Sequence, residues 1–488
     1  MSIFTKNKID IDWSKKNLTS LEGAPKIVSG NFTCDGNTLQ SLAGSPEEIG
    51  GDFWCSRNIL SSLLESPKIV GGNFACSWNK IISLQGMPSK INGDFRCTHN
   101  NLVSLDGGPK IVGGDFWCYY NNITSLAWCP KEVHGAFVCS HNKLASLKGC
   151  PKEIGSDFRC SCNQLTSLEG IPEEIYGDFD CYHNNLTSLK GCPSVIGGDF
   201  WCAGNKLTSL KGGPNEVGGG FRCSNNSLAS LLGGPQKIGG TFRCSRNQLT
   251  SLEGAPREVN GDFICHHNQL ATLEGAPEEV SGDFHCAFNQ LTSLEGSPKI
   301  VGRNFGCYHT QLTSLKGCPK EVGGNFKCWD NPRIFTEEEI RAVCNVKGKV
   351  ILIWDNYFCA DKGLTSLEAC PKEVRGEFWC FRNKLTTLEG APEKVGGDFI
   401  CFDNKLTSLK GAPKEVAGSF DCSDNKLTSL EGGPEKIDGN FLCFDNKFIS
   451  LDGCPKEVGG NFNCSDNRKN FTEAEVRAVC NVKGKVIV

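Results

Sequence analysis

The stretch Asn205-Lys-Leu-Thr-Ser-Leu-Lys-Gly-Gly-Pro-Asn-Glu-Val-Gly-Gly-Gly-Phe-Arg-Cys-Ser-Asn225 is one turn of a pattern that returns every 21 residues. Fifteen copies begin at residues 16, 37, 58 and onward to 310, and five more at 362, 383, 404, 425 and 446. All twenty carry Leu at the sixth place, Pro at the tenth, Phe at the seventeenth and Cys at the nineteenth. Seventeen open on Asn; the exceptions are Lys16, Thr310 and Lys362, each at or near an array end. A period of this length marks stacked coils, in which each repeat buries its apolar face only against its neighbours. The expected fold is a mainly β repeat solenoid, a curved coil of parallel sheet with short capping helices.

Side chains alternate across a strand, so in Phe-x-Cys the Phe and Cys share one face and x takes the other. The shared face never varies toward polar residues, which places it inside. Stacked copies then pair in parallel about 4.8 Å apart. The apolar third place, the sixth-place Leu and the Val or Ile at the thirteenth add further inward layers. The Gly-x-Pro corner and the Gly-Gly before the strand turn the chain. A ninth residue that is mostly small (Ala24, Ser45, Gly108, Cys129, Ala255) implies close contact between coils.

The string Phe-x-Cys-x-x-Asn-x-Leu resembles the L-x-L-x-x-N-x-L core of the leucine-rich repeat, with Phe and Cys where Leu or Val is usual. The Leu-Thr-Ser-Leu-x-Gly-x-Pro part is similar to the short repeats of bacterial effectors and of phage proteins. The resemblance covers most of the chain. It implies a leucine-rich-repeat-like solenoid in which the opening Asn forms a hydrogen-bonded ladder inside the turn, a role carried here to Asn37, Asn58, Asn205 and their equivalents.

Residues 331–361 break the period, and a near copy of their first part returns from 467, at an offset of 136 residues. Each copy holds a T-x-x-E capping box, Thr336 with Glu339 and Thr472 with Glu475. Phe335 and Phe471 stand ready to staple onto Ile340 and Val476. A KGKV strand is expected after each helix. The organisation read from this is an N-terminal cap over 1–15, one array over 16–330, a capped-helix insertion over 331–361, a second array over 362–466, and a helix-strand cap over 467–488 that hides an open sheet edge.

Composition narrows the function. With 51 Lys+Arg against 55 Asp+Glu, the formal charge of −4 gives no bulk attraction to nucleic acid or membrane. No apolar run reaches the length of a membrane span. The opening MSIFTKNKIDIDWSKKN lacks the apolar core of a signal peptide, so a cytoplasmic location is expected. Of the 30 cysteines, 21 including Cys359 fall on the strand row. Their spacing matches no zinc or haem motif and no C-x-x-C occurs, so they read as a ladder of small buried hydrophobes. Eight scattered histidines and the absence of a phosphate-loop signature give no catalytic residue, no metal site and no cofactor. The Asp or Asn before each Phe (Asp52, Asp94, Asp115, Asp178, Asp262, Asp398) draws a line that could bind cations, but turn chemistry at the strand entry is the preferred reading.

The variable residues carry the functional signal. The x of Phe-x-Cys includes Trp54, Arg96, Trp117, Arg159, Trp201, Arg222, Arg243 and, in the second array, Trp379. Tyr119 and Tyr182 follow their strand cysteines. Trp and Arg dominate interface hot spots. One such ring is explained by cover of a neighbouring coil; a whole stripe points to a partner. These ten residues form the expected protein-binding face of a non-catalytic scaffold. The alternatives are a self-assembling structural protein, or a binder of an extended nucleic acid or glycan.

Overall fold

Each Phe-x pair forms a two-residue strand that pairs in parallel with the equivalent pair one repeat away. The register is i to i+21 throughout the arrays; Phe179 lies opposite Phe200, and Phe200 opposite Phe221. The computed structural model describes residues 8–333, 335–354, 356–368 and 370–488. They fall into two compact units, residues 1–326 with 338–349, and 327–337 with 350–488. In the first, the Phe strands run in register from Ile11–Asp12 to Phe305–Gly306 and beyond. In the second, a seven-stranded sheet runs from Tyr357–Phe358 to Val486–Ile487.

The fold is a parallel β-solenoid, and a second sheet runs along each unit. It is built from the twelfth and thirteenth places, such as Val195–Ile196 against Glu216–Val217. The thirteenth side chain points in and the twelfth points out, hence the recurrent Glu-Val and Lys-Ile pairs with one exposed and one buried residue. In the first unit this sheet is broken into groups of three, four, five and four strands; in the second it is one run of six.

Between the sheets lies a continuous apolar core. Leu207, Leu210, Val217, Phe221 and Cys223 of one coil are all essentially inaccessible, and the same five places are buried in nearly every coil. Successive Phe rings lie 5.0–6.1 Å apart, several of them parallel, as for Phe179 on Phe200 at 5.3 Å and 3°. The corner is set by glycine at the eighth place. Gly44 has φ +82°, and a Cβ there would sit 2.8 Å from the backbone of the preceding coil. The ninth N–H then donates to the sixth carbonyl, as Ser45 N does to Leu42 O at 2.9 Å.

The opening Asn forms the ladder that the repeat's resemblance implies. Asn205 Nδ2 donates to Cys181 O of the preceding coil and Cys202 O of its own, both at 3.1 Å, while its Oδ1 accepts from Leu186 N at 3.1 Å. A second ladder joins the strand entries. Asp178 N donates to Asp157 Oδ1 and Asp199 N to Asp178 Oδ1, each at 2.9 Å. The Asp/Asn line is therefore occupied with inter-coil hydrogen bonds, as turn chemistry requires.

Helices α1 (Glu337–Val343) and α2 (Glu473–Val479) occupy the two breaks in the period. Thr472 and Glu475 form the reciprocal capping box, and Phe471 and Val476 are buried. The KGK residues are not part of a strand; strands Asn345–Val346 and Val350–Ile351 flank Lys347–Lys349, and the same holds around Lys483–Lys485. The segment after α2 adds a rung to each sheet, Asn481 opposite Glu457 and Val486 opposite Phe462.

Candidate functional site

The x side chains stand outward from the Phe strands because Phe and Cys fill the inner face. Rung spacing then puts residues 21 apart in sequence side by side. In the first unit this assembles two groups. Trp54, Ala75, Arg96 and Trp117 occupy successive rungs. The small Ala75 leaves room for Arg96 to lie 4.2 Å from the Trp117 ring centroid and 5.8 Å from that of Trp54. Arg96 Nη2 is held by Asp94 Oδ2 at 2.9 Å. Tyr119 meets the edges of His99 and Tyr120 at 5.6 and 5.7 Å.

The second group centres on Trp201, with Arg222 5.3 Å and Arg159 5.9 Å from its ring centroid. Arg159 Nη2 binds Asp157 at 2.8 Å and Asp178 at 3.4 Å. Arg243 is the rung after Arg222, and both are exposed. Between Arg159 and Trp201 lies the buried Asp180, whose carboxyl is raised by desolvation although it accepts from Tyr182 N at 2.9 Å. Tyr182 itself is exposed and packs edge-on to His183. Trp379 belongs to the second unit, where it meets Phe358 at 4.4 Å. The candidate residues are thus divided among two groups in one unit and a separate aromatic group in the other.

Arg96 Nε and the indole Nε1 of Trp201 and Trp379 are occluded without a hydrogen-bond partner. Buried polar groups are ordinarily paired, and these three are exceptions. A recess that opens on the second sheet among His134, Glu153, Glu174 and Tyr176, by contrast, contains none of the ten residues.

A further row escapes a reading limited to x. The last residue of most repeats adopts a left-handed backbone without being glycine, for example Trp78 (φ +57°), His99 (+52°), Tyr120 (+54°) and His141 (+53°). This conformation is costly for bulky residues. It lifts their rings into a stack: Trp78 on His99 at 3.8 Å, His99 on Tyr120 at 4.6 Å, Tyr120 on His141 at 4.2 Å. Trp78 and Tyr120 remain about half exposed. The sequence signal was available, as aromatic or His residues recurring at the twenty-first place.

Histidines that look scattered in the sequence are partly gathered. His266 Nδ1 lies 2.8 Å from His267 Nδ1, the His266 ring is 5.1 Å from that of His285, and His285 Nε2 lies 2.8 Å from Tyr308 Oη. Burial, then His267, Arg246 and Arg243, lower His266 to about 4. The folded state keeps this ring neutral while the unfolded chain protonates it near the ordinary histidine value, so stability is full above that value and falls as pH drops toward 4. From about pH 7 to about pH 5, the urea midpoint of the wild type is expected to fall further than that of His266→Gln. Equal falls would remove His266 from the linkage.

Among the described residues no group of three or more His, Cys, Asp or Glu could hold a metal ion, and no helix is long and apolar enough to cross a membrane. Burial pushes the strand thiols well up, as for Cys202 and Cys244, which makes them poor nucleophiles.

No family model matches the chain, and no curated protein matches it. Among solved structures it is similar to YopM from Yersinia enterocolitica WA-314, at 19% identity over 94% of this chain and 91% of that one, with a TM-score of 0.56. YopM, a leucine-rich effector protein from Yersinia pestis, matches at 16% identity over 70% of this chain and 88% of that one, TM-score 0.44. The functional domain of InlJ from Listeria monocytogenes, which includes a cysteine ladder, matches at 16% identity over 76% of each chain, TM-score 0.28. The first of these likenesses, with the repeat and the Asn ladder above, shows the fold: the chain is a leucine-rich-repeat solenoid built on a repeat of 21 residues.

Proposed function

We propose that the chain is a non-catalytic scaffold that binds a protein on the outward face of its Phe strands, through Trp54, Arg96 and Trp117 and through Arg159, Trp201 and Arg222. The observation that carries this reading is the sandwich of Arg96 between two indoles, with Asp94 fixing its guanidinium. Such an arrangement is already ordered before any partner arrives, so little side-chain entropy is lost on docking. The partly exposed indoles of Trp54 and Trp117 offer a partner apolar area. Net charge is slightly negative overall, so the arginines act as local anchors and not as part of a polyanion-binding field. The action is assigned to the cytoplasm of the producing or host cell.

The test is co-purification from host-cell lysate followed by affinity measurement with the purified partner. Trp54→Ala/Arg96→Ala/Trp117→Ala is expected to weaken binding by roughly 100-fold or more, because hot-spot truncations cost about 2 kcal/mol or more each. The thermal midpoint should move little, since all three side chains lie outside the core. Unchanged affinity would overturn the assignment. Concentration-dependent self-association without a foreign partner would favour an assembling structural protein, and steep salt dependence with RNA or DNA a nucleic-acid binder.

A further inference from the structure

Nine cysteines lie outside the strand row, and five of them, with Cys359 of that row, meet in three pairs. The thiol of Cys318 interacts with that of Cys344, Cys454 with Cys480, and Cys359 with Cys370. The first two pairs are one arrangement written twice. Cys318 and Cys454 hold the ninth place of the last repeat before a helix; Cys344 and Cys480 stand where α1 and α2 end; 26 residues separate the members of each pair. Backbone register brings them together. Asn345 N donates to Lys320 O and Asn481 N to Lys456 O, both at 2.9 Å, which lays each helix end beside the corner of the preceding repeat.

The members of a pair differ in access. Cys344 and Cys480 are each 3% exposed, whereas Cys318 and Cys454 are partly open to solvent. They differ from the strand thiols in charge as well. Cys454 keeps its proton, raised by its bond to Cys480 and by burial, while that bond lowers Cys480; Cys318 lowers Cys344 in the same way. A small apolar residue would serve packing equally well at both places, and many repeats do carry Ala or Gly at the ninth.

We propose that Cys454–Cys480 and Cys318–Cys344 are two dithiol sites that close to disulfides on meeting a low-molecular-weight disulfide, each tying a helix to the last repeat of its array. The Cys480 thiolate takes the proton of Cys454 as the Cys454 sulfur attacks one sulfur of the reagent, the reagent S–S bond breaks, and one small thiolate leaves. Cys480 then gives that proton to the departed thiolate, attacks the Cys454 sulfur of this mixed disulfide and expels the second small thiolate. Two protein thiols are oxidised, one disulfide is reduced to two thiols, and the two protein protons pass to the leaving groups. The same sequence holds for Cys318 and Cys344. Each bond closes a loop around its helix and restricts the opening of that segment.

The full-length native protein is incubated with oxidised glutathione, alkylated, digested without reduction and mapped by mass spectrometry. The expected result is the Ala-Val-Cys-Asn-Val-Lys peptide common to both helix ends linked to the peptides carrying Cys454 and Cys318, with the strand cysteines alkylated only after denaturation. Hydrogen exchange of Glu473–Val479 should slow roughly tenfold on oxidation and recover with reductant. In Cys480→Ser the reaction should stop at glutathione on Cys454. Wild-type protein that ends as a glutathione adduct on Cys454 without the link, or that stays unmodified while alkylation proves Cys454 accessible, would overturn the proposal. The wild-type map decides it even if the variant folds poorly.

Discussion

Phe200→Ala is expected to cost about 3–5 kcal/mol for the deleted ring and its cavity, the usual range for a buried aromatic. The ring is fully buried and stacks at 5.3 Å on Phe179 and 5.2 Å on Phe221, nearly parallel to both. Losing both stacked contacts adds roughly 1 kcal/mol. The neighbouring coils cannot collapse into the gap, because their backbones are held at strand spacing by Phe179 N to Asp199 O and Phe200 N to Gly220 O, both 2.8 Å. A solenoid need not unfold as one body. The measurement is therefore hydrogen exchange around residues 179–223 together with the urea midpoint. Local protection should fall at both adjacent coils, while Phe200→Leu loses about 1–1.5 kcal/mol and the exposed Arg222→Ala stays within about 0.5 kcal/mol. Equal effects of Phe200→Ala and Arg222→Ala would contradict the stacked core.

Asn205→Ala removes a different kind of support and is expected to cost about 3 kcal/mol. Its three carbonyl acceptors survive with other partners: Cys181 O keeps Asn184 Nδ2, Cys202 O keeps Asn226 Nδ2, and Ala203 O keeps His183 N. Leu186 N does not, since Asn205 Oδ1 is its acceptor. A buried N–H left without an acceptor costs about 1–3 kcal/mol, and the lost amide bonds add to it. Thr310 is the natural comparison, its Oγ1 donating to Cys307 O at 3.1 Å. Asn205→Thr should accordingly be milder than Asn205→Ala. The readout is the urea midpoint with hydrogen exchange at Leu186 and Leu207. A loss below about 1 kcal/mol for Asn205→Ala would mean that water replaces the ladder.

The candidate site was legible only in part. Trp54, Arg96 and Trp117 stand out because every x position shares one geometry, so a list of x residues is a map of one face. Their grouping was not legible. It depends on Ala75 being small enough for Arg96 to reach across a rung, and on Asp94 lying at the strand entry within reach of the guanidinium. Trp78, His99 and His141 were missed because their display rests on a left-handed backbone at the twenty-first place, which period alone does not reveal. The pairing of Cys454 with Cys480 was hidden for a similar reason: 26 residues is no motif, and only the rung register brings the two together.

What the sequence determined by itself is the coil. Leu, Pro, Phe, Cys and Asn recur at fixed places through twenty repeats, and a residue that recurs in every copy has the same neighbours in every copy. Periodicity therefore fixes which side chains face inward and that the Phe strands are parallel; that Asn205 and its equivalents bond inside the turn is what the resemblance to the leucine-rich repeat implied. Tertiary structure decided what depends on the space between copies. The second sheet forms because coils close enough to stack their Phe rings also bring Glu216–Val217 beside Val195–Ile196. The Asp line became a ladder because each strand entry leaves an N–H facing the carboxylate one rung away. The segment after α2 became one more rung because its backbone still had strand hydrogen bonds to make, and the strands of the last repeat, Glu457–Val458 and Phe462–Asn463, supplied them.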